Sequence, residues 1–453
     1  MTTPSNGPRA HHTRESAESF LAELRASAAD LSSRSIRDLV RVLGSVGTRF
    51  LDPDDPLRKA AEERIPEEAG LTPQMTRAVI EGMARDWTPT RLTKLVEADF
   101  PDPGVLDGFR PGPNGDLLRA VGGSLAFHVG AGSVPGVGAT SLLRSLLVKC
   151  PVLLKPGRAD IALATLWVRG LAERDPDLAR ACAVEYWPGH AGGHLEAAAL
   201  RSADRVVVYG GSDTVRELRS RVPPTTPFLA YHHRWSMGAI GRERLAASTE
   251  ARRIAAAAAT AVATFDQRGC VSPQVIWVEE GGRTTAGEWA RALAEELEAL
   301  ETSLPPGPVD AATAATVQQL RGTAELRAAT GTGDRVFAGS GVGWTVLYET
   351  DPRPAPSCLS RTVRVKPIER LEHLSELLEP HAATLQSFAL EASDERRRTV
   401  GEALGRAGVT RITSFRRQPW PPAWWRHDGS GPLQALVRWI SLEEPEEPRR
   451  ENP

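Results

Sequence analysis

The spacing of apolar residues changes near residue 117 of the chain. Before it, residues 17–46 and 73–98 carry apolar side chains at helical spacing, separated by the segment DPDDP, and both stretches predict N-terminal helices. After it, the short apolar runs LAFHV, PVLLK and RVVVYG are each followed by a stretch of helical spacing. This βαβα alternation predicts a parallel sheet with helices on its faces.

A second alternating region begins near residue 270. Its strand-like runs are PQVIWVEE, GWTVLYE and TVRVKPI, and the helical segment EWARALAEELEAL lies between the first two. The join between the two regions falls in or just after the alanine-rich helix that ends near Phe265. We therefore expect an α/β fold of more than one domain, since 453 residues exceed what one hydrophobic core usually organises.

The composition is that of a folded soluble protein. Apolar residues make up 41% and charged residues 25% of the chain, the ordinary balance of a globular domain. The 55 Lys and Arg residues are balanced by 57 Asp and Glu residues. Without a basic excess, we expect no nucleic acid as a partner.

The sequence predicts neither a secretory signal at its start nor a membrane-spanning segment. The N-terminal sequence MTTPSNGPRAHHTRES has no apolar run typical of a secretory signal. Residues 254–265, the most apolar run, are mostly alanine and too few for a membrane span, which needs ~20 residues. We expect a cytoplasmic protein with no membrane span, in which the first ~15 residues and the tail from Glu443 lack order.

The four cysteines, Cys150, Cys182, Cys270 and Cys358, show no C-x-x-C spacing. This disfavours both a metal site and a disulfide framework.

Two glycine-containing turns follow predicted strands and precede predicted helices, an arrangement that can bind a pyrophosphate. In HVGAGSVPGVG the first two glycines fit G-x-G, but Pro135 stands where a third glycine should be. The turn fits either a dinucleotide site or a plain strand-to-helix connection. At Gly211 and Ser212, the bare backbone and hydroxyl suit a phosphate, and a simple N-cap serine explains the pattern equally well.

Cys270 lies in the polar, glycine-bounded loop DQRGCVSPQ. A free cysteine is most often a small buried hydrophobic residue, an interpretation that suits Cys150 and Cys182 in their apolar stretches. Around Cys270, Gly269 allows close backbone approach, and Arg268 with local N–H groups favours the thiolate over the thiol. The loop therefore predicts either a catalytic nucleophile or a structural thiol.

Four segments taken together resemble one known family. The segments VLLKPGRAD, VVVYGGSD, DQRGCVSPQ and PWPPAWWRHDGSGPLQALVRWI look like those of the LuxC family of acyl-CoA reductases, within the aldehyde dehydrogenase superfamily. The resemblance covers residues 117–440, and the Cys-centred motif is its most specific part. It implies an aldehyde dehydrogenase-like α/β fold and reduction of a fatty acyl thioester to the aldehyde with NADPH.

The resemblance also implies a division of the chain into four parts. Residues 1–116 would form a tail and a helical region, 117–264 a Rossmann-type nucleotide-binding domain, and 265–410 an α/β catalytic domain. Residues 411–453 would return to the cofactor domain or to an oligomer interface.

By this resemblance Cys270 is the nucleophile that accepts the acyl group. Its backbone N–H and Ser133, which stands where the superfamily has an asparagine, would donate hydrogen bonds to the oxyanion. Residues 231–236, where the superfamily has a general-base glutamate, contain no carboxylate, which fits a reduction that needs no hydrolytic water. In that stretch, His233 either protonates a leaving group or is a surface histidine.

Two further residues match the family without a derivable role. His427 and Asp428 lie in the C-terminal motif HDG, and a structural turn is the simpler interpretation.

The cofactor expectation rests on the motif KPGR. NAD-preferring members of the superfamily have Lys-Pro-Ser-Glu here, and the lysine and glutamate bind the adenosine ribose. In this chain Lys155 is retained and Arg158 replaces the glutamate. The arginine would pair with the 2′-phosphate of NADPH, or it faces solvent, while Gly211 and Ser212 complete the expected site.

The implied partners are an acyl-CoA or acyl-carrier thioester, an acyl-supplying or aldehyde-consuming enzyme, and further copies of the chain in a homo-oligomer. Two other functions stay open at this point. One is a Cys-dependent acyltransferase on the same fold, and the other is a non-catalytic scaffold subunit.

Overall fold

The computed structural model describes residues 12–189 and 191–443. Two segments were expected to lack order, the first ~15 residues and the tail from Glu443, and residues 1–11 and 444–453 of them lie outside the described residues. The first helix begins at Arg14, inside the first of these segments. Within the described part of the chain, no helix is both long and apolar enough to cross a membrane.

Among the described residues, six α-helices precede the first strand. They are α1 (Arg14–Ala26), α2 (Ala28–Ser33), α3 (Ile36–Arg49), α4 (Pro56–Ala69), α5 (Pro73–Ala84) and α6 (Pro89–Asp99). Five of them cover the two stretches predicted to be helical, residues 17–46 and 73–98, and α4 lies between those stretches. The side chains of Thr13, Ser35, Asp55 and Thr72 each accept a hydrogen bond from a first-turn backbone N–H and so fix four of these starts.

Helices α2–α6 share one hydrophobic core with the next part of the chain, and α1 packs in a second core with residues of that part. The indole N–H of Trp87 donates to the hydroxyl of Thr140 over 2.9 Å. This bond joins the turn after α5 to the helix Val137–Leu147, which packs on the sheet described next. The N-terminal helices therefore form one wall of that part of the molecule.

A five-stranded parallel sheet follows, in the order β5-β4-β3-β6-β7. Its region contains β1 (Arg110–Pro111), β2 (Leu117–Gly122), β3 (Ala126–Val129), β4 (Val152–Lys155), β5 (Cys182–Val184), β6 (Arg205–Tyr209) and β7 (Phe228–Tyr231), with α7 (Val137–Leu147), α8 (Ile161–Arg174), α9 (Pro176–Ala179), α10 (Gly193–Ser202) and α11 (Ser212–Ser220). The chain runs outward from β3 to β5 and then returns to the other side of β3. In open α/β sheets, ligands bind at the carboxyl ends of strands beside such a reversal, here β3 and β6.

A seven-stranded sheet forms the second half, in the order β10-β11-β12-β9-β8-β13-β14. All neighbours are parallel except β10 and β11. The elements are β8 (Trp235–Ile240), β9 (Pro273–Glu279), β10 (Arg335–Ala338), β11 (Thr345–Tyr348), β12 (Thr362–Ile368), β13 (Leu385–Glu391) and β14 (Arg411–Thr413), with α12 (Ser248–Ala263), α13 (Ala286–Ser303), α14 (Ala311–Ala329), α15 (Leu374–Leu378) and α16 (Asp394–Arg406).

The chain changes sheets between β7 and β8, that is between Tyr231 and Trp235. The border expected at residues 264 and 265 falls at the end of α12, after the second sheet has received its first strand. The final strand, β15 (Val437–Leu442), pairs antiparallel with β2 and completes a three-stranded sheet with β1.

Candidate active site

A cavity of about 580 Å³ lies where the carboxyl ends of the first sheet face the second sheet. Residues 131–133, 210–211 and 231–234 reach it from the ends of β3, β6 and β7, and Cys270 reaches it from the loop before β9. The two glycine turns and the cysteine loop that were noted in the sequence therefore all line this cavity.

The opposite wall of the cavity is apolar. It is formed by helices α5 and α6 and by the C-terminal segment, with the side chains of Met83, Trp87, Leu92, Leu95, Trp420 and Ala423. An apolar wall of this kind suits a ligand with a hydrocarbon part.

The loop that carries Cys270 is held in an unusual backbone conformation. Phe265, Asp266 and Gln267 follow one another with φ of 58°, 50° and 63°, a left-handed conformation that side chains other than glycine seldom adopt. Such strain persists only where surrounding contacts impose it. Those contacts place Cys270 at a fixed point of the cavity.

Two polar side chains impose that conformation. The Gln267 amide donates to the carbonyls of Pro273 and Thr362 over 2.8 Å each, and its oxygen accepts from the Thr362 N–H at 2.8 Å. Asp266 forms a 2.7 Å ion pair with the buried Arg361. These polar neighbours of Cys270 therefore hold the loop.

Cys270 is exposed to the cavity, whereas Cys150 and Cys182 are buried and Cys358 is partly buried. The wall of protein around the sulfur removes bulk water and raises the pKa of the Cys270 thiol to about 11, and the charge of Asp428 adds to this rise. At neutral pH the thiol is therefore protonated.

This corrects the expectation that Arg268 favours the thiolate. The Arg268 guanidinium points away from the sulfur and donates to the carbonyls of Ala69 and Gly70, over 2.8 and 3.5 Å. These hydrogen bonds hold the cysteine loop against the end of α4.

Ser133 lines the cavity beside the cysteine loop. Its hydroxyl lies 3.5 Å from the carbonyl of Arg268, two residues before Cys270. The turn that carries Ser133 is held by Asp160, whose two carboxylate oxygens accept the N–H groups of Gly136 and Gly138 over 2.6 and 2.5 Å.

The C-terminal HDG motif also reaches the cavity. The ring of His427 is stacked between Tyr231 and Trp425, with centroid distances of 4.3 and 4.5 Å. Burial lowers the pKa of His427 to about 4, so its imidazole is neutral at pH 7. His233, the other candidate histidine, is an exposed side chain on the cavity wall.

Gln386 is the site residue that sequence reasoning missed. It lies on β13, is 1% exposed and lines the cavity. Its amide nitrogen lies 3.1 Å from Nε2 of His427 and 3.0 Å from Oδ1 of Asp428. A lone glutamine in an apolar run gives no local signal of this role, because its partners come from a segment 41 and 42 residues away.

The residues expected to hold a cofactor lie around the same turns. Lys155 ends β4 and is half-buried, with its pKa lowered mainly by burial. Gly157 packs so closely on the carbonyl of Ala131 that a Cβ there would overlap it, which brings the KPGR motif against the first glycine turn. Arg158 is exposed beside it.

The second glycine turn has open space above its backbone. A Cβ added at Gly211 would meet nothing within 4 Å, and Ser212 is the exposed first residue of α11. Bare backbone at a helix start is suited to an anionic group.

The fold belongs to the aldehyde dehydrogenase-like class. It matches the NADP-dependent glyceraldehyde-3-phosphate dehydrogenase of Bacillus halodurans with a TM-score of 0.71 and 14% identity, covering 95% of this chain and 91% of that one. It also matches an NAD-dependent benzaldehyde dehydrogenase of Corynebacterium glutamicum with a TM-score of 0.70 and 13% identity, covering 96% and 91%.

Within this class, the chain belongs to the acyl-CoA reductase (LuxC) family, whose model matches residues 31–439. It is similar to the long-chain acyl-protein thioester reductases of Vibrio harveyi, at 23% identity over 419 residues, and of Aliivibrio fischeri, at 25% over 428. Each match covers 92% of this chain and 84% of the relative. The predicted family, an oxidoreductase family, and the predicted fold class are confirmed.

Proposed function

We propose that the protein reduces a long-chain acyl thioester to the aldehyde with NADPH, through an acyl group carried on Cys270. The observation that carries this proposal is the position of Cys270. It is an exposed thiol on a rigid loop, facing a cavity that has glycine turns on one side and an apolar wall on the other.

The first half of the reaction moves the acyl group. The Cys270 thiol passes its proton to water in the cavity, the sulfur attacks the thioester carbonyl, and the carbon–sulfur bond to the donor breaks, so that the donor leaves as a thiolate and takes up a proton. The negative charge that develops on the carbonyl oxygen needs donors already in place, and losing one typically costs ~10²- to 10³-fold in rate. The backbone N–H of Cys270 and the hydroxyl of Ser133 are the donors that we assign.

The second half reduces the acyl-Cys270 thioester. NADPH, when bound, supplies the hydride. The resulting thiohemiacetal on Cys270 then collapses, with release of the aldehyde and return of the sulfur. His233 lies on the cavity wall, and we assign it the proton transfers to the leaving thiol or to the carbonyl oxygen.

The residues around the glycine turns fit a dinucleotide phosphate. Lys155 and the bare backbone of Gly211, with the hydroxyl of Ser212, offer donors to ribose and phosphate groups. Arg158 is free to face a 2′-phosphate, because it is exposed beside Lys155 and its guanidinium can form a bidentate contact with phosphate.

The apolar wall suits the hydrocarbon part of the substrate. The relatives are named for acyl-protein thioesters, so the donor is either a protein-bound thioester or acyl-CoA. We infer a cytoplasmic homo-oligomer that works with an enzyme which supplies the acyl group or consumes the aldehyde.

One experiment tests the proposal and separates it from acyl transfer without reduction. Wild-type protein and Cys270→Ala are mixed with labelled long-chain acyl-CoA, first alone and then with NADPH, while nicotinamide absorbance and aldehyde are followed. We expect label on Cys270 of the wild type, aldehyde only after NADPH is added, and neither in the variant. Label on Cys150, Cys182 or Cys358 would contradict the assignment.

A further inference from the structure

Gln386 reaches Cys270 through irregularities in two adjacent strands. The pairing of β13 with β8 shifts register between Leu385 and Phe388, and the pairing of β8 with β9 shifts beside Ser236. Bulges next to active sites often re-aim a side chain. Here the bulge of β13 turns the amide of Gln386 into the cavity that Cys270 faces.

The bulges also connect the two residues through the backbone. The hydroxyl of Ser236 donates to the carbonyl of Cys270 at 2.6 Å and accepts from the N–H of Ser387 at 3.2 Å. The backbone beside Gln386 and the backbone of Cys270 are thereby held to the same hydroxyl, which fixes their separation.

Asp428 determines which end of the Gln386 amide faces the site. A carboxylate oxygen only accepts hydrogen bonds, so the amide nitrogen, and not its oxygen, is the atom 3.0 Å away. The same nitrogen faces Nε2 of His427 at 3.1 Å, which therefore accepts and leaves the imidazole proton on Nδ1. The amide oxygen is buried and has no hydrogen-bond partner among the described residues.

We propose that Gln386 stabilises the thiolate of Cys270 by donating an amide hydrogen to the sulfur, that Asp428 is the positioning residue that orients this amide, and that His427 accepts the second amide hydrogen until the thiolate forms. The inference rests on the proposed role of Cys270 as nucleophile. It gives the HDG motif a function that the sequence did not reveal.

A donor to the sulfur would stabilise the thiolate in addition to the nearby charge of Arg411. When the thiol passes its proton to water in the cavity, a negative charge appears on a sulfur that is surrounded by protein and lies near Asp428. Gln386 lines the same cavity as Cys270, and the Ser236 hydroxyl holds the backbone of Ser387 beside that of Cys270, so the Gln386 amide is placed to offset part of this cost. The amide group of Gln386 has two hydrogens. One keeps its hydrogen bond to Asp428, and as the thiolate forms the other exchanges its hydrogen bond to His427 for one to the sulfur.

The test is the alkylation rate of Cys270 by iodoacetamide as a function of pH, with the modified residue identified by mass spectrometry. Gln386→Met keeps the length of the side chain and removes both donors. We expect roughly tenfold slower alkylation at a given pH, with the profile displaced upward by about one pH unit, because hydrogen bonds to charged groups are strong.

Three more variants make the result specific. Gln386→Glu retains length and volume but places a carboxyl group beside the sulfur, so alkylation should be slower still. His427→Phe keeps a ring in the aromatic stack and removes the acceptor that competes with the sulfur for the amide hydrogen, so alkylation should be faster than in the wild type. Gln418→Met is the matched control, because Gln418 is 0% exposed and donates to the Met237 carbonyl at 3.0 Å. Its buried amide oxygen, like that of Gln386, has no hydrogen-bond partner in the part of the chain that the structure describes.

The outcomes separate this inference from the proposed function. Folded Gln386→Met and Gln386→Glu proteins with the wild-type profile, or a Gln418→Met protein with the same displacement, would overturn the role of Gln386. If the pH profile of Gln386→Met is displaced from that of the wild type as expected, but the wild type is never acylated at Cys270, only the proposed function fails. Thermal melting of each variant identifies any that is unfolded, and Gln386→Glu then replaces Gln386→Met.

Discussion

The indole ring of Trp420 should limit the length of acyl chain that the cavity accepts. Trp420 lines the cavity with Cys270, lies on the backbone of Gly82 in α5 and packs edge-on against Phe265 at 5.1 Å. Trp420→Ala removes the indole ring from the wall of the cavity, which leaves apolar space for a longer acyl chain. Gly82→Ala has the opposite effect, because an added Cβ would overlap the ring and push it off α5.

The expected magnitudes follow from the cost of leaving methylene groups in water. Burying one CH₂ is worth about 0.8 kcal/mol, or roughly fourfold in kcat/KM. In Trp420→Ala, each methylene beyond the wild-type optimum should gain up to about fourfold until the new space is filled. In Gly82→Ala, the ring has to move by about 1 Å or more to restore ordinary contact, so the longest good substrates should lose about fourfold or more.

The assay is kcat/KM for a series of saturated acyl-CoA substrates that differ by two carbons. Gly322→Ala on α14 is the control, because a Cβ there meets nothing within 4 Å, and its profile should match that of the wild type. If folded Trp420→Ala and Gly82→Ala proteins shift the optimum in the same direction, or leave it unchanged, the acyl chain does not lie against Trp420.

Three further predictions concern the thiol, the cofactor and the first glycine turn. Because burial raises the pKa of the Cys270 thiol to about 11, wild-type alkylation by iodoacetamide should rise about tenfold per pH unit between about pH 7 and 10; a plateau near pH 8 would contradict this. Arg158→Glu should lower the ratio of kcat/KM for NADPH to that for NADH by roughly 10- to 100-fold, and an unchanged ratio would show that Arg158 does not bind the 2′-phosphate. In the wild type the two carboxylate oxygens of Asp160 each accept one backbone N–H, whereas Asp160→Asn leaves a single acceptor oxygen for both N–H groups. The variant should therefore lower the free energy of unfolding by ~1–3 kcal/mol, measured by thermal melting, and weaken NADPH binding, measured by titration. Wild-type values in both measurements would refute the role of Asp160.

Elements with a clear apolar period could be predicted from the sequence, and those shaped by tertiary contacts could not. The run TVRVKPI coincides with β12, and PQVIWVEE contains β9. The strand β13 was missed, because its sequence LQSFALE places polar residues where the bulge occurs. The helix α14 was missed as well, since only Val317, Arg321 and Ala324 are buried along its 19 residues.

The candidate site divides in the same way. Cys270 could be identified from its motif, because glycine and polar residues around a cysteine are visible in a short segment. The direction of the Arg268 side chain could not, since it depends on the position of α4, whose end carries the carbonyls that it binds. The role of Gln386 depends on a bulge and on a motif near the end of the chain, and neither is local to it.

If Cys270 carries the acyl group as we propose, the carboxylates near it would favour attack by a thiol or a hydride donor over attack by water. Hydrolysis needs a general base that can take a proton from water. Residues 231–236 contain no carboxylate, and Asp86, which lines the cavity, forms a 2.6 Å ion pair with Arg91. Asp428 is likewise engaged, by Gln386 and by Arg234 at 3.2 Å. These two carboxylates therefore bind cations and amides, so if Cys270 carries the acyl group as we propose, neither would be free to activate water against it.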